Sequence, residues 1–398
     1  MTLLKLALKN LLGAGLRTWL NVFVLSLSFV LIIFSQGLLE GMNKQAEEAM
    51  IAVEVAGGHV QHPAYDRYDP LTLTDAHGPI PAPLAALAAA GQAAPILVIQ
   101  GTIYPGGRLF TVQIKGIDPG QTVLDIPTSF LGADAASPGE EIPVLIGERM
   151  AKLTGLSVGD TFTVQWRDAR GTFDARDAVV VQVMKTSVQT VDSGQVWVPL
   201  ARLQEMTGLE GQATFVVLAR DAPPPAADLD VLSGWIFRDP DYFLTDLHAM
   251  VESKTAGSSI IYAIFLALAM LAIFDTQVLS IFHRRREMGT LMALGFTRTK
   301  LIGLFTLEGM LNGVMAALVG AVYGIPLLSW MARTGWALPG DTDSYGFAIG
   351  ERLFPSYSLA LVAGTTLLVL LTTTFVSFLP TRRIVKLKPT DALRGRMT

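Results

Sequence analysis

Residues 283–300, HRRREMGTLMALGFTRTK, bring together several kinds of side chain whose order has a physical consequence. Arg284, Arg285 and Arg286 form a cationic block, and Glu287 follows at once. Met288, Leu291 and Met292 stand at i, i+3 and i+4, so a helix here carries them as one apolar stripe. Gly295 suits a left-handed helix end, and Thr297 or Thr299 can cap the helix that follows. The segment reads as a short helix and a tight turn joining two longer elements. Anionic lipid would account for the arginines alone. The ordered stripe and the glycine turn call for a partner protein or a lipid surface.

Other chemistry is sparse. The phosphate-cradling pattern G-x-x-x-x-G-K-[ST] does not occur, so the chain is not expected to hydrolyse ATP. G-x-S-x-G occurs once, at 155–159, after a predicted helix rather than the strand that a nucleophile elbow needs. The histidines are His59, His62, His77, His248 and His283, and the nearest group, His59 with His62, lacks the acidic or helical context of a hydrolytic metal site. Cysteine is absent, which removes disulfides, thiolate nucleophiles and Cys-based metal sites. No metal, cofactor or catalytic residue is assigned to the chain. Asp275 and Glu308 are the carboxylates that fall inside apolar runs, where ionisable groups face protein or water. They read either as a proton relay or as hydrogen-bonding groups within a helix bundle. Two separated carboxylates favour the second.

These residues need positioning elements, and composition says where to find them. The chain has 398 residues, 51% hydrophobic and only 16% charged, against roughly 25% charged in soluble domains. An all-soluble enzyme and a disordered chain are excluded, and nucleic acid is not an expected partner. About 20 apolar residues cross a bilayer as a helix, and four stretches qualify: 19–40, 258–282, 301–332 and 357–379. The first exceeds a typical signal-peptide core and lacks an A-x-A-like site after it, so it reads as a retained anchor. Span three holds Gly309 with Gly313 and Gly320 with Gly324, two G-x-x-x-G spacings that allow close helix approach, with Pro326 nearby.

Basic residues set the orientation. Lys5, Lys9 and Arg17 lie in the amphipathic segment 1–18, Arg284 to Lys300 in the connector 283–300, and Arg382 to Arg396 in the tail 380–398. All three are expected on the cytoplasmic side. The acidic segment 41–257 and the loop 333–356 are then external. Alternating apolar runs in the large segment predict strands at 94–100, 109–116, 144–146, 161–166, 178–184, 195–199 and 214–219. Helices fit at 83–90, 148–153 and 200–207. Seams at 132–139 and 221–230, rich in Pro, Gly, Ser and Ala, suggest an inserted part at about 140–211. The fold class is an α-helical integral membrane protein with four spans and a large α/β extracytoplasmic domain of two subdomains.

Several motifs resemble the FtsX/MacB type of ABC transporter permease, including the lipoprotein-releasing (LolC/LolE-like) subunits. They are LALKNLLGAGLRTWL, GHVQ at 58–61, GLSVGDTFTV at 155–164, VWVPLARLQEMTG at 196–208, RREMGTLMALGFTRTKLIGLFTLEGMLNG at 285–313 and LPTRRIVKLKPTDALR. The resemblance implies a dimer of identical or related permease chains on two copies of a separate cytoplasmic ATPase, which would hold ATP and Mg. It implies that the connector is a coupling helix, with Arg286 and Glu287 as polar contacts and Met288, Gly289, Leu291, Leu294, Gly295 and Phe296 as the docking stripe. Membrane lipids and a periplasmic lipoprotein or adaptor are further partners it implies, in a bacterial inner membrane. For a lipoprotein-extracting member, an apolar substrate cavity is expected between upper parts of spans one and two of the two chains, with Phe29, Ile33, Phe34, Ile261, Phe265 and Leu266 as candidates. Extraction or export driven by mechanotransmission is the leading function. A permease that signals to an external cell-wall hydrolase is the alternative.

Overall fold

The computed structural model describes residues 2–13, 15–133, 141–223, 234–337 and 352–382. The basic residues beyond Arg382, most of both predicted seams and the loop acids Asp341, Asp343 and Glu351 lie outside them. The described chain forms two compact units, one of residues 2–43, 250–337 and 352–382, the other of 44–249.

In chain order the elements begin with α1 (Thr2–Gly13) and α2 (Leu16–Met50), which ends in a π-helical turn, Ile51–Val55. There follow β1 (His59–Gln61), β2 (Gly78–Pro79), α3 (Ala82–Ala89), β3 (Ala93–Tyr104), β4 (Phe110–Ile117) and α4 (Phe130–Ala133). Next come β5 (Ile142–Gly147), α5 (Glu148–Thr154), β6 (Thr161–Arg167), β7 (Phe173–Met184), α6 (Gln189–Gly194), β8 (Gln195–Pro199) and α7 (Leu200–Thr207). After β9 (Gln212–Ala213), β10 (Phe215–Leu218) and β11 (Ile236–Arg238) the chain is helical through α8 (Pro240–His283), α9 (Arg285–Ala293) and α10 (Arg298–Thr334). The short strands β12 (Trp336–Ala337) and β13 (Arg352–Leu353) pair with each other before α11 (Leu359–Thr381).

Among the described residues four helices, within α2, α8, α10 and α11, are long and apolar enough to cross a membrane. Each of the first three overruns its apolar stretch, because polar residues with adequate helix propensity continue the hydrogen-bond ladder past it. Caps mark the starts: the Thr297 hydroxyl accepts from the Lys300 N–H before α10, and Ser358 accepts from Leu361 N–H before α11. The helical unit packs around Val22, Leu25, Phe29, Ile32, Ala316 and Val369.

The second unit is built on a nine-stranded mixed sheet in the order β11-β1-β10-β3-β4-β8-β5-β7-β6. The long strand β3 pairs with β10 along its first residues and with β6 along its last, Gly101 to Tyr104. Six strands, β3-β4-β8-β5-β7-β6, therefore close into a ring. Alternate residues fill it, among them Leu97, Ile99, Val112, Ile114, Val144, Val164, Trp166 and Val180, as the period of two requires. The opposite faces carry Ile96, Val98, Leu145, Trp197 and Val217 against α4, α6 and the π-helical turn. The strands that the sequence assigned to an inserted part at about 140–211 do not make a sheet of their own. They complete the ring with β3 and β4, because β3 is long enough to serve two neighbours on one edge.

Candidate functional site

The connector is a helix, α9, stopped as its sequence dictates. Gly295 adopts φ +94°, and Phe296 N–H and Leu294 N–H return to the carbonyls of Leu291 and Thr290. Only glycine takes that conformation without cost, so the turn fixes where α10 begins.

The stripe predicted for docking is mostly turned the other way. Met288 is fully buried and clusters with Ile281, Leu301 and Phe305, with Leu291, Met292, Phe296 and Ile302 packed alongside. Gly289 is buried too. The expectation that Met288 and Gly289 belong to an outward docking face is thus corrected: the apolar side of α9 closes on the roots of α8 and α10, the nearest apolar surface available to it. Outward remain Arg286, Glu287, Gly295 and Leu294, which is 80% exposed. Leu291 and Phe296 are half-buried.

The polar contacts centre on Arg284, which sequence reasoning placed only in a basic block. Its Nε and Nη2 donate to the two oxygens of Glu287 at 2.7 and 2.9 Å. Its Nη1 donates to both oxygens of Glu308, at 3.0 and 2.8 Å, and its guanidinium lies 5.0 Å from the Phe305 ring centre. Asn10 of α1 donates to the same Glu308 through Nδ2 at 2.8 Å. Glu308 is buried. Hydrogen bonding to Arg284 holds the Glu287 carboxyl below the usual carboxylate range, and the same contact raises the guanidinium further. One arginine thus joins the connector to α10, and one carboxylate joins both to α1. The i,i+3 spacing of Arg284 and Glu287 was a legible signal for half of this node. Nothing in the sequence pointed to Asn10.

The glycine pairs of α10 face different helices. A Cβ on Gly309 would overlap the Ser377 side chain, and one on Gly313 would come within 2.8 Å of Thr373 Oγ1, both on α11. A Cβ on Gly320 or Gly324 would meet Ser26 and Val30 of α2 instead. An added Cβ on Gly309 would also stand 3.1 Å from Gln277 Nε2 of α8, so the first pair approaches two helices and the second pair one. Asp275 lies exposed on α8, while Glu308 is committed to Arg284 and Asn10.

The six apolar candidates do not converge within one chain. Phe34 stacks on Trp336 at 5.5 Å, Ile261 is exposed, and Phe265 and Leu266 pack on the bundle core. Phe29 and Ile33 line a cavity of ≈ 240 Å³ shared with α10 and α11.

The second unit has its own buried polar cluster. The His59 ring stacks on Phe215 at 4.7 Å and lies 4.2 Å from Phe243. Its Nε2 is 2.8 Å from the Glu54 carbonyl, which can only accept, so Nε2 carries the proton. Burial lowers the His59 pKa to about 4. Lys115 is buried beside it, 3.6 Å from the Glu54 carboxylate and over the Trp197 ring. Among the described residues no group of three or more His, Cys, Asp or Glu is placed to hold a metal.

Four described helices apolar enough to span a membrane, a helical connector ion-paired to one of them and a large α/β unit define an integral membrane protein. Two family models fit the chain: the FtsX-like permease C-terminal domain over residues 259–389 and the MacB-like periplasmic core domain over residues 18–231. The chain belongs to this MacB/FtsX family of ABC transporter permeases. Among similar proteins, the LolC transmembrane protein of the Neisseria meningitidis lipoprotein-releasing system is 24% identical over 76% of this chain and 77% of its own length. The Bordetella avium macrolide export ATP-binding/permease protein MacB is 26% identical over 56% of this chain. An uncharacterised ABC transporter permease of Methanocaldococcus jannaschii is 22% identical over 60%. The chain spans only 34% of that MacB and 58% of that archaeal permease. The solved periplasmic region of MacB from Actinobacillus actinomycetemcomitans aligns with 50% of this chain and 96% of its own, at 11% identity and a TM-score of 0.32.

Proposed function

We propose that this chain is the non-catalytic permease subunit of an ABC transporter in a bacterial inner membrane. It works as one of two permease chains, identical or related, on two copies of a separate ATPase that binds ATP and Mg. Closure of the ATPase pair displaces the docked connector, and the spans carry the displacement to the extracytoplasmic domain. There it does mechanical work on a lipoprotein, lipid or amphipathic molecule.

The observation that carries this reading is the Arg284 node. A connector free to pivot would dissipate a push from below. Here α9 is held to α10 by a buried apolar cluster and by paired hydrogen bonds from Arg284 to Glu308, so the two move together. Its outward edge keeps Arg286, Glu287, Leu294 and Gly295 for a partner.

Mild-detergent purification of the tagged protein from its host tests this, comparing wild type with Glu287→Arg plus Gly295→Trp. A stoichiometric ATPase with wild type, lost from the folded double variant, is the expected result. If no ATPase accompanies wild type even after crosslinking in membranes, the chain lacks its energy source and the reading fails.

A further inference from the structure

Asp275 is the carboxylate of the spans that the Arg284 node leaves aside. It stands eight residues, about 12 Å of helix, before the end of α8 at His283, within the hydrocarbon depth that this span crosses. It is exposed there, and its carboxyl meets no cation or hydrogen-bond donor among the described residues. Acyl chains offer such a group nothing, which is why carboxylates at this depth face protein or water. The residues around it give the face a period. Ile264, Leu268, Leu271, Asp275, Val278 and Phe282 follow one another at alternating steps of four and three. That spacing keeps them on one side of a helix and is the spacing of a left-handed coiled-coil seam. Leu268 and Leu271 on that side are 59 and 65% exposed, whereas Gln277 and Ile281, on the far side, are buried in the chain's own bundle. Of the four spans α8 is also the barest: 6% of its apolar window is buried, against 39% in α2 and 22% in both α10 and α11.

We propose that this face of α8 packs against α8 of a second copy of the chain, with Asp275 opposite the partner's Asp275 and one proton held between the two carboxyls. Two copies enter a membrane in the same orientation, so their α8 helices run parallel, and a twofold axis sets each residue of the seam opposite itself. A repeat of three and four is complementary to itself in that arrangement, at the shallow crossing angle common among membrane helices. An unrelated span could match the apolar rungs, but it would also have to bring a polar group to the one rung that holds Asp275. The second copy does so by symmetry. Leucine gains nothing by leaving lipid, so close fit and the hydrogen bond between the carboxyls hold the seam together. This pairing rests on the reading of two permease chains acting together, and adds which helix joins them and through which residue.

The chain contains no cysteine, so single-Cys variants of the full chain each report one contact. A disulfide forms only where two Cα atoms come within about 7 Å. In native membranes oxidised with copper phenanthroline, Leu268→Cys and Leu271→Cys are expected to give disulfide-linked dimers. Ala263→Cys, on another side of α8, and Val322→Cys, on a residue of α10 that is 78% exposed, should crosslink roughly tenfold less. Asp275→Leu, combined with Leu271→Cys, suits lipid but removes the hydrogen bond, and slows crosslinking about fivefold; Asp275→Asn still hydrogen-bonds across the axis and keeps the rate. Dimers through Val322→Cys with none through α8 overturn the seam, and so does crosslinking of Leu271→Cys to a different protein. Unchanged crosslinking in Asp275→Leu overturns the role of the carboxyl. An ATPase that accompanies a chain whose α8 does not crosslink to its copy sinks the pairing and leaves the permease reading standing. Seam dimers without an ATPase uphold the pairing and sink that reading.

Discussion

Arg284, just past the end of α8, and Glu308, about three turns into α10, share a two-pronged contact at 3.0 and 2.8 Å. Glu308 is 6% exposed and accepts a third hydrogen bond from Asn10. A buried carboxylate stripped of its arginine retains its desolvation cost, so Arg284→Met is expected to destabilise the chain by roughly 3 kcal/mol. Replacing both members, Arg284→Met with Glu308→Leu, removes the unpaired charge and recovers most of that stability. ATPase stimulation should stay low in the double variant, because the tie from connector to span is gone. A thermal-shift series with parallel ATPase assays decides this: recovery of both quantities together would mean that the pair supports the fold alone.

The glycines of α10 give a graded expectation. Gly309→Ala places a Cβ into the Ser377 side chain, a collision that overpacking usually charges at about 1–3 kcal/mol. Gly320→Ala meets Ser26 and Val30 at 3.4–3.6 Å, an ordinary contact, and is expected within about 0.5 kcal/mol of wild type. Ser377→Gly in the Gly309→Ala background makes room again. Melting in detergent should therefore rank Gly309→Ala below Gly320→Ala, with the double variant restored. Helix propensity favours Ala over Gly at both positions, so an equal loss at both would show that the collision with Ser377 does not set the cost.

How much of this was legible can be argued residue by residue. Hydrophobic length found the four spanning helices, and Gly295 with Thr297 found the connector's end, because turn and cap chemistry is local. The α7 and β8 boundaries were readable for the same reason: alternation and a terminal glycine fix both ends. Met288 was misread because periodicity shows that a stripe exists and not which neighbour covers it. Asn10 and Glu308 are 298 residues apart in sequence, so their contact left no trace in spacing. The three-residue strands β1 and β11 were missed because they are too short for an alternating pattern and are defined by their partners β10 and β1.

His59 makes the extracytoplasmic unit sensitive to acid. Its pKa is lowered to about 4 by burial, against an ordinary value of 6.5, with Lys115 and Arg67 adding to the shift and Glu54 opposing it. The folded state therefore keeps His59 neutral where the unfolded chain is already protonated. That penalty is absent above pH 6.5, grows as the pH falls and levels off near pH 4. Its full size is on the order of 3 kcal/mol. Stability measured between pH 7 and 4 should fall in wild type, and His59→Gln should flatten the part due to this ring. A slope unchanged by the substitution would assign the acid sensitivity to other groups.

Leu294 and Met288 separate docking from folding. Met288 lies within α9 and Leu294 caps its end, yet Leu294 is 80% exposed and Met288 fully buried among Ile281, Leu301 and Phe305. Leu294→Asp adds a charge in solvent and is expected to change stability by less than about 0.5 kcal/mol. Met288→Asp drives a carboxylate into an apolar cluster with no partner and should cost several kcal/mol, to the point of poor expression. If the outward edge of the connector is what the ATPase grips, Leu294→Asp releases the ATPase from a permease that melts like wild type. Co-purification and thermal shift on the same preparations read both quantities. Retention of the ATPase by a folded Leu294→Asp would move the docking surface away from this edge and onto Arg286 and the turn at Gly295.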